Sequence, residues 1–103
     1  MGHLVYGSAG TPIEVDDRAL AHLQAVILAK LRRREGFAVT LDDPASEARR
    51  VVFLSEAIPI EFDYSSRAPQ RLNRRWVEAL LLSANSTSGL VLSPEPSESE
   101  PDK

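Results

Sequence analysis

Seven arginines in two clusters are the residues of this chain whose type and spacing could bind a ligand. A guanidinium group forms paired hydrogen bonds with phosphate oxygens, so several of them on one face suit the backbone of a nucleic acid. The candidate nucleic-acid-binding residues are Arg32, Arg33, Arg34, Arg67, Arg71, Arg74 and Arg75. Whether the two clusters share a face depends on the fold and is left open by the sequence.

Folding alone explains the first cluster better than the second. Residues 32–34 end a helical pattern, where positive side chains complement the negative end of the helix dipole. Arg74 and Arg75 begin a second helical pattern, where the same charge opposes the dipole. Groups for base stacking are sparse, because only Trp76 is adjacent and it falls on the apolar side of its helix. Binding of DNA or RNA is therefore the alternative prediction and not the leading one.

Patterns for catalysis or metal binding are weak. The two histidines, His3 and His22, show neither the His-x-His nor the His-x-x-x-His spacing of metal ligands. Serines occur without the Gly-x-Ser-x-Gly motif, and the Gly-Ser-Ala-Gly stretch at 7–10 is too short for a phosphate-binding loop. The acid pairs at 16–17 and 42–43 suit a helix cap and a turn. We predict no catalytic residue, no metal site and no cofactor, and expect that the protein is not an enzyme.

Length and composition predict one folded domain. The chain has 103 residues, 43% of them hydrophobic and 26% charged, which is ordinary for a globular domain with a single core. It contains no cysteine, so disulfides and thiolate zinc sites are excluded. No apolar run approaches the roughly 20 residues that cross a bilayer, and the chain begins with a strand pattern instead of a signal segment. We expect a cytoplasmic protein without a membrane partner.

The longest helical pattern spans residues 16–35 and carries one apolar stripe. Asp16 is placed to cap this helix, which closes before Gly36 with the basic residues Lys30, Arg32, Arg33 and Arg34. His22 lies beside the stripe and is expected to be packed or at the surface. The stripe consists of Leu20, Leu23, Ile27 and Leu31, at steps of three and four residues.

A second helix is predicted to begin after Asn73, its N-cap, and to end at Ala84. Asn85 follows, and asparagine readily adopts the left-handed conformation that ends helices. The apolar face of this helix consists of Trp76, Val77, Leu80, Leu81 and Ala84.

Six short strands accompany the two helices. Gly7 and Gly10 permit a hairpin between the first two strands, and the next three are predicted to pair as a meander because the intervals are short. The order β-β-α-β-β-β-α-β predicts an α+β fold, with a mostly antiparallel sheet and both helices packed on one face. The strands cover residues 3–6, 12–15, 37–41, 49–54, 58–64 and 89–92.

A change in composition after Ser93 predicts the end of the domain. Residues 94–103 contain four acids and one lysine, whereas residues 1–93 contain eleven positive and eleven negative side chains. The whole net charge of −3 therefore comes from this Pro/Ser/Glu-rich segment. We predict a single domain over residues 1–93 and a disordered acidic tail over residues 94–103, since the tail cannot bury enough apolar surface to fold.

Three stretches carry a resemblance to a known family: MGHLVYG, PIEVDDRALAHLQAVILAKLRRRE and LNRRWVEALLLSANSTSGLVLSPEP. Through them the chain resembles a family of small uncharacterised actinobacterial proteins of about this length, whose members often carry the label "ATP-dependent DNA ligase". That label implies adenylation of a lysine. Neither Lys30, which is followed by Leu-Arg-Arg, nor Lys103 stands in the Lys-x-Asp-Gly context of such an enzyme.

The leading functional prediction is a non-catalytic interaction module that self-associates as a homodimer. It rests on the several short strands, whose exposed edges can pair with a second copy, and on the lack of any convergent polar motif. The alternative is an accessory module that associates with DNA or RNA through the arginine clusters.

Overall fold

The computed structural model describes residues 1–8, 10, 12–42 and 47–97. Its elements are β1 (Gly2–Tyr6), β2 (Ile13–Val15), α1 (Asp17–Arg32), β3 (Phe37–Asp42), β4 (Arg49–Leu54), β5 (Ile60–Asp63), α2 (Arg74–Ala84) and β6 (Leu90–Val91). The α+β class and the order β-β-α-β-β-β-α-β are thereby confirmed. Most of the predicted turn between β3 and β4 lies outside the described residues.

The strands divide between two three-stranded sheets. The first sheet has the order β2-β1-β5 and is antiparallel throughout. The second has the order β4-β3-β6, in which β3 pairs antiparallel with β4 and parallel with β6. The predicted hairpin of β1 and β2 is confirmed, with Gly2 opposite Val15 and with Gly7 at a φ of 86° in the turn.

The predicted meander of β3, β4 and β5 is wrong at its last strand, because β5 pairs with β1 and not with β4. Two hydrogen bonds hold the connection beside β1. The Ser55 amide donates to the Tyr6 hydroxyl at 3.1 Å, and the Gly7 amide donates to the Pro59 carbonyl at 2.8 Å. Short intervals favour pairing of neighbouring strands. Here β5 pairs instead with the open edge of β1, so β4 remains an edge strand of the other sheet.

Both predicted N-caps are confirmed. The Asp16 carboxylate accepts from the amides of Arg18 and Ala19, and the Asn73 side chain accepts from the Arg75 amide at 3.1 Å. The end of α2 differs from the prediction, since Asn85 has φ −87° and ψ −1° and is not left-handed. Its side chain has another use, described below.

One core joins the two helices and both sheets. Helix α1 packs against β1, α2 packs against β3 and β6, and the helices pack against each other. The predicted stripe of α1 is buried except at Leu31, which is partly exposed. The largest fully buried apolar side chains are Leu4, Leu20, Leu23, Ile27, Leu54, Leu80 and Leu90.

Residues 94–97, the first part of the predicted acidic tail, lie against the domain and make specific contacts. Their carbonyl and carboxylate groups accept hydrogen bonds from side chains of α1 and α2. The rest of the predicted tail, residues 98–103, lies outside the described residues. Fixed polar partners thus hold residues 95–97 against the domain, although these residues bury little apolar surface.

Candidate functional site

The arginines that end α1 lie among acidic side chains. Arg33 Nε is 3.9 Å from a Glu35 carboxylate oxygen, and Arg34 Nε is 3.7 Å from one of Glu56. Both pairs are largely exposed, so each contributes little to stability. The nearby acids also compete with an external phosphate for these two arginines. Arg32, in contrast, lines a groove on the outer side of α1.

The second arginine cluster is spread over several environments. Arg74 pairs with Glu78 one helical turn on, at 3.4 Å, and both side chains are exposed. Arg75 Nη1 donates to the Ser97 carbonyl at 2.8 Å, which explains why an arginine is tolerated at the start of α2. The Arg71 carbonyl accepts from Arg18 Nη1 at 2.8 Å. Arg67 lies in the loop before α2 and lines the same groove region as Arg32.

The structure thus brings one member of each cluster to a single surface, which we name the α1 groove. It consists of two compartments, of about 350 Å³ and about 270 Å³, which share Ala21, Tyr64 and Gln70 in their lining. Arg67 lines the first compartment and Arg32 the second. The remaining candidates, Arg33, Arg34, Arg71, Arg74 and Arg75, do not line it.

A polar network that the sequence did not predict fastens residues 93–97, here named the strap, to the starts of both helices. Arg18 holds the Glu95 carboxylate with two hydrogen bonds, from Nε at 2.8 Å and from Nη2 at 2.7 Å. Asn73 Nδ2 donates to Glu95 at 3.0 Å and to the Pro96 carbonyl at 2.8 Å. The Trp76 indole donates to the Ser93 carbonyl at 3.0 Å. A bidentate arginine–carboxylate pair is among the stronger polar contacts in proteins, so Glu95 is the anchor of the strap.

His22 sits fully buried beneath this network. Its Nε2 accepts from the Asn73 backbone amide at 2.7 Å, and its Nδ1 lies 2.7 Å from the Arg18 carbonyl. Since an amide donates and a carbonyl accepts, the geometry requires a neutral ring with its proton on Nδ1. Trp76 packs on the ring with centroids 4.5 Å apart. The expectation of a packed histidine is confirmed, and both ring nitrogens are already bonded within the fold.

The charge of Glu95 makes the strap sensitive to pH. Hydrogen bonds from Arg18 and Asn73 lower the pKa of Glu95 from 4.5 to about 2. A carboxylate with a depressed folded-state pKa adds stability above its unfolded pKa, and that contribution is lost as the pH falls through the folded pKa. We therefore expect Glu95→Gln to lower the melting temperature at neutral pH and to converge with the wild type as the pH approaches 2.

The matched control for Glu95→Gln is Glu78→Gln, which removes the same charge from the exposed pair with Arg74. Its melting temperature should stay close to that of the wild type at every pH, because exposed pairs stabilise weakly. Thermal unfolding from neutral pH to about pH 2 compares the variants. Equal pH profiles for wild type and Glu95→Gln would show that the strap is not held by the Glu95 charge.

Lys30, the lysine that the ligase resemblance brings forward, is buried at the end of α1. Its ammonium donates to Asn85 Oδ1 at 2.5 Å and pairs with Glu35 at 2.9 Å. It also lies 5.7 Å from the centre of the Phe37 ring. Lys30 therefore ties the end of α1 to the end of α2, and Asn85 terminates its helix while serving as the acceptor.

The outer face of the β4-β3-β6 sheet is apolar and exposed. In the strand register, Phe53 of β4 lies beside Ala38 of β3. Thr40 of β3 lies between Val51 of β4 and Val91 of β6. The exposed fractions are 65% for Val51, 63% for Phe53 and 44% for Val91. Contiguous apolar side chains of this kind mark interaction surfaces when they lie on an edge strand, as β4 does.

The outer face of the other sheet is acidic around His3. Register places His3 between Glu14 and Asp63, with Glu61 two residues from Asp63 on the same side. A hydrogen bond between the side chains of Glu61 and Asp63, together with the negative charge of Asp63, raises the pKa of Glu61. Among the described residues, no three histidine or carboxylate side chains are grouped so as to hold a metal ion. This face therefore carries a repulsive acid pair beside His3.

No curated protein and no solved structure matches the chain. None of the helices in the described part of the chain is long and apolar enough to span a membrane. The profile of a domain of unknown function, DUF7882, matches residues 1–95, which contain both sheets, both helices and Glu95. The chain therefore belongs to the DUF7882 family of domains of unknown function.

Proposed function

We propose that this chain is a non-catalytic interaction module that forms a homodimer through strand β4. The observation that carries the proposal is the exposed apolar face at Val51 and Phe53, on a strand whose outer edge has no pairing partner among the described residues. Natural edge strands are usually shielded by charges, proline or a covering loop. In β4 the charges, Arg49 and Arg50, are confined to the first two residues.

Antiparallel pairing of β4 with a second copy is self-complementary. When Val52 lies opposite Val52 of the other copy, Val51 lies opposite Phe53 on the exposed face, because opposed residues of an antiparallel pair share a face. Each Phe53 then lies beside a valine of the other copy and packs against it as a cross-strand neighbour. The β4-β3-β6 sheets of the two copies would then form one six-stranded sheet with a two-fold axis at its centre.

Charge supports the same arrangement. Arg50 and Arg49, which also pairs with Asp42 at 2.8 Å, begin β4, and Glu56, which lies 3.7 Å from Arg34, follows its end by two residues. Antiparallel pairing places the positive end of each strand beside the negative end of its partner. A parallel arrangement would bring like charges together, which is unfavourable.

A non-catalytic role accords with the state of the two histidines. His22 has both ring nitrogens bonded inside the core, so it presents neither to a substrate. His3 lies on a sheet between two carboxylates and has no serine opposite it in the strand register. Lys30 is likewise committed to Glu35 and Asn85.

Sedimentation velocity over about 1 µM to about 1 mM protein tests the dimer. We expect Phe53→Glu to weaken dimerisation at least about 100-fold, since it replaces two symmetry-related phenylalanine–valine contacts across the joined strands with charges. Leu82→Glu is the matched control, because Leu82 is 75% exposed but lies on α2. A wild-type monomer at the highest concentration contradicts the proposal, as does equal weakening by both variants.

The nucleic-acid alternative depends on arginines that are available to phosphates. Glu35, Glu56 and Glu78 already lie beside Arg33, Arg34 and Arg74. Of the seven candidates, Arg32 and Arg67 are the two that line a common groove.

A further inference from the structure

The α1 groove is a second surface, separate from the proposed dimer strand. We propose that it binds an extended acidic segment of a partner protein, with Arg32 and Arg67 each holding a carboxylate and with apolar side chains of the segment lying between them. This inference does not depend on dimerisation, because no residue of β4 lines the groove.

One wall of the groove is a continuous face of α1. Ala21, Ala25, Leu28 and Arg32 follow one another at helical steps of three and four residues, and Gln24 lies three residues after Ala21 on the same side. At 1.5 Å per residue, the eleven steps from Ala21 to Arg32 cover roughly 16 Å. The opposite wall is the loop before α2, including Tyr64, Pro69 and Leu72. Apart from the two arginines, the lining combines small and apolar side chains with the uncharged polar groups of Gln24, Ser66 and Gln70.

The dimensions suit an extended segment. The two compartments, of about 350 Å³ and about 270 Å³, adjoin along one face of α1, so side chains of one extended segment can enter both of them. In an extended peptide every second side chain points the same way, at intervals of about 6.6 Å. A segment of about five or six residues thus spans the roughly 16 Å along α1.

The charges at the two ends favour a carboxylate ligand. Among the residues that the structure describes, neither Arg32 nor Arg67 has an ion-pair partner. The molecule shows what such an arginine can bind, since Arg18 holds Glu95 of the extended Ser-Pro-Glu-Pro strap with two hydrogen bonds. The groove repeats two elements of that contact, an arginine on α1 and an adjacent loop.

A phosphate backbone suits the same groove less well. Tyr64 is the aromatic residue that lines it, and its hydroxyl is tied to Gln24 Oε1 at 2.5 Å. The pKa of Tyr64 is raised, mainly by burial of its hydroxyl and to a lesser extent by the negative charge of Asp17. A strand of nucleic acid, which is charged at every nucleotide, would find two arginines for its phosphates and a single ring for stacking.

The test uses the full chain and a fluorescein-labelled peptide, Glu-Leu-Pro-Ala-Leu-Glu, in fluorescence anisotropy. We expect saturable binding that Arg32→Ala and Arg67→Ala each weaken about five- to tenfold and that the double variant abolishes. Arg74→Ala is the matched control, because Arg74 is exposed, pairs with Glu78 and does not line the groove. It should bind as the wild type does.

Three outcomes overturn the proposal. They are the absence of binding up to about 1 mM peptide, undiminished binding by the Arg32/Arg67 double variant, and equal binding of a peptide in which lysines replace both glutamates. A fluorescein-labelled oligothymidine that binds more tightly than the peptide and is released by the same variants would assign the groove to nucleic acid instead. Phe53→Glu should bind the peptide normally, which separates this test from that of the dimer.

Discussion

We expect His22→Ala to lower the free energy of unfolding by about 3 kcal/mol. The substitution opens a cavity beneath the strap, since His22 is fully buried against Trp76. It also leaves the buried Asn73 amide without the acceptor that now lies at 2.7 Å. An unpaired buried donor alone costs about 1 to 3 kcal/mol, and the lost packing adds to that cost.

A second variant separates packing from hydrogen bonding at this position. His22→Leu fills most of the space but accepts no hydrogen bond, so we expect it to lose about 1 to 2 kcal/mol. His3→Ala, on the surface of a sheet, should change stability by less than about 0.5 kcal/mol. Urea unfolding is followed by the fluorescence of Trp76, the single tryptophan of the chain. If His22→Leu unfolds at the wild-type midpoint, the hydrogen bond to Asn73 contributes nothing measurable.

We expect Gly89→Ala to lower the free energy of unfolding by about 3 kcal/mol. Gly89 has a φ of 82°, which disfavours any residue with a Cβ, and its Cβ would lie 2.6 Å from the Ala38 carbonyl oxygen. That carbonyl belongs to β3, so the chain cannot move aside without disturbing the parallel pairing of β3 with β6. The substitution therefore strains the turn and the sheet together.

Gly7→Ala provides the matched control, because Gly7 has nearly the same φ, 86°, but no atom within 4 Å of an added Cβ. Its free energy of unfolding should fall by only about 1 kcal/mol, the cost of placing alanine in the left-handed conformation. Urea unfolding of both variants gives the comparison. If the two lose the same amount, contact with Ala38 contributes nothing and the strain at Gly89 is purely conformational.

The sequence predicted those elements whose causes are local. The apolar stripe of α1, its cap at Asp16 and the cap of α2 at Asn73 each depend on residues within a few positions of one another. The hairpin at Gly7 is local in the same sense. These features follow from periodicity and turn chemistry, and the structure has them where they were expected.

The parts that sequence analysis missed depend on distant partners. Glu95 is ordered by Arg18, which precedes it by 77 residues, and composition gives no sign of that pairing. Pairing of β5 with β1 likewise required knowing which strand edge was open. One signal was available, since Arg18 stands in the first turn of α1, where a positive charge opposes the helix dipole and needs another explanation.

The candidate site was predicted only in part for the same reason. The seven arginines are visible in the sequence, but the groove that joins Arg32 to Arg67 forms where α1 meets a loop remote in the chain. The apolar face on β4 was also hidden, because Val51 and Phe53 look like core residues until β4 becomes an edge strand.

The division of six strands between two sheets makes the domain indivisible. The first sheet takes β1 and β2 from the start of the chain but β5 from beyond β4, and the second takes β3 and β4 but needs β6 from beyond α2. A cut anywhere between β2 and β6 therefore leaves at least one sheet short of a strand. Unfolding should accordingly be a single cooperative event, and neither half of the chain should fold when expressed alone.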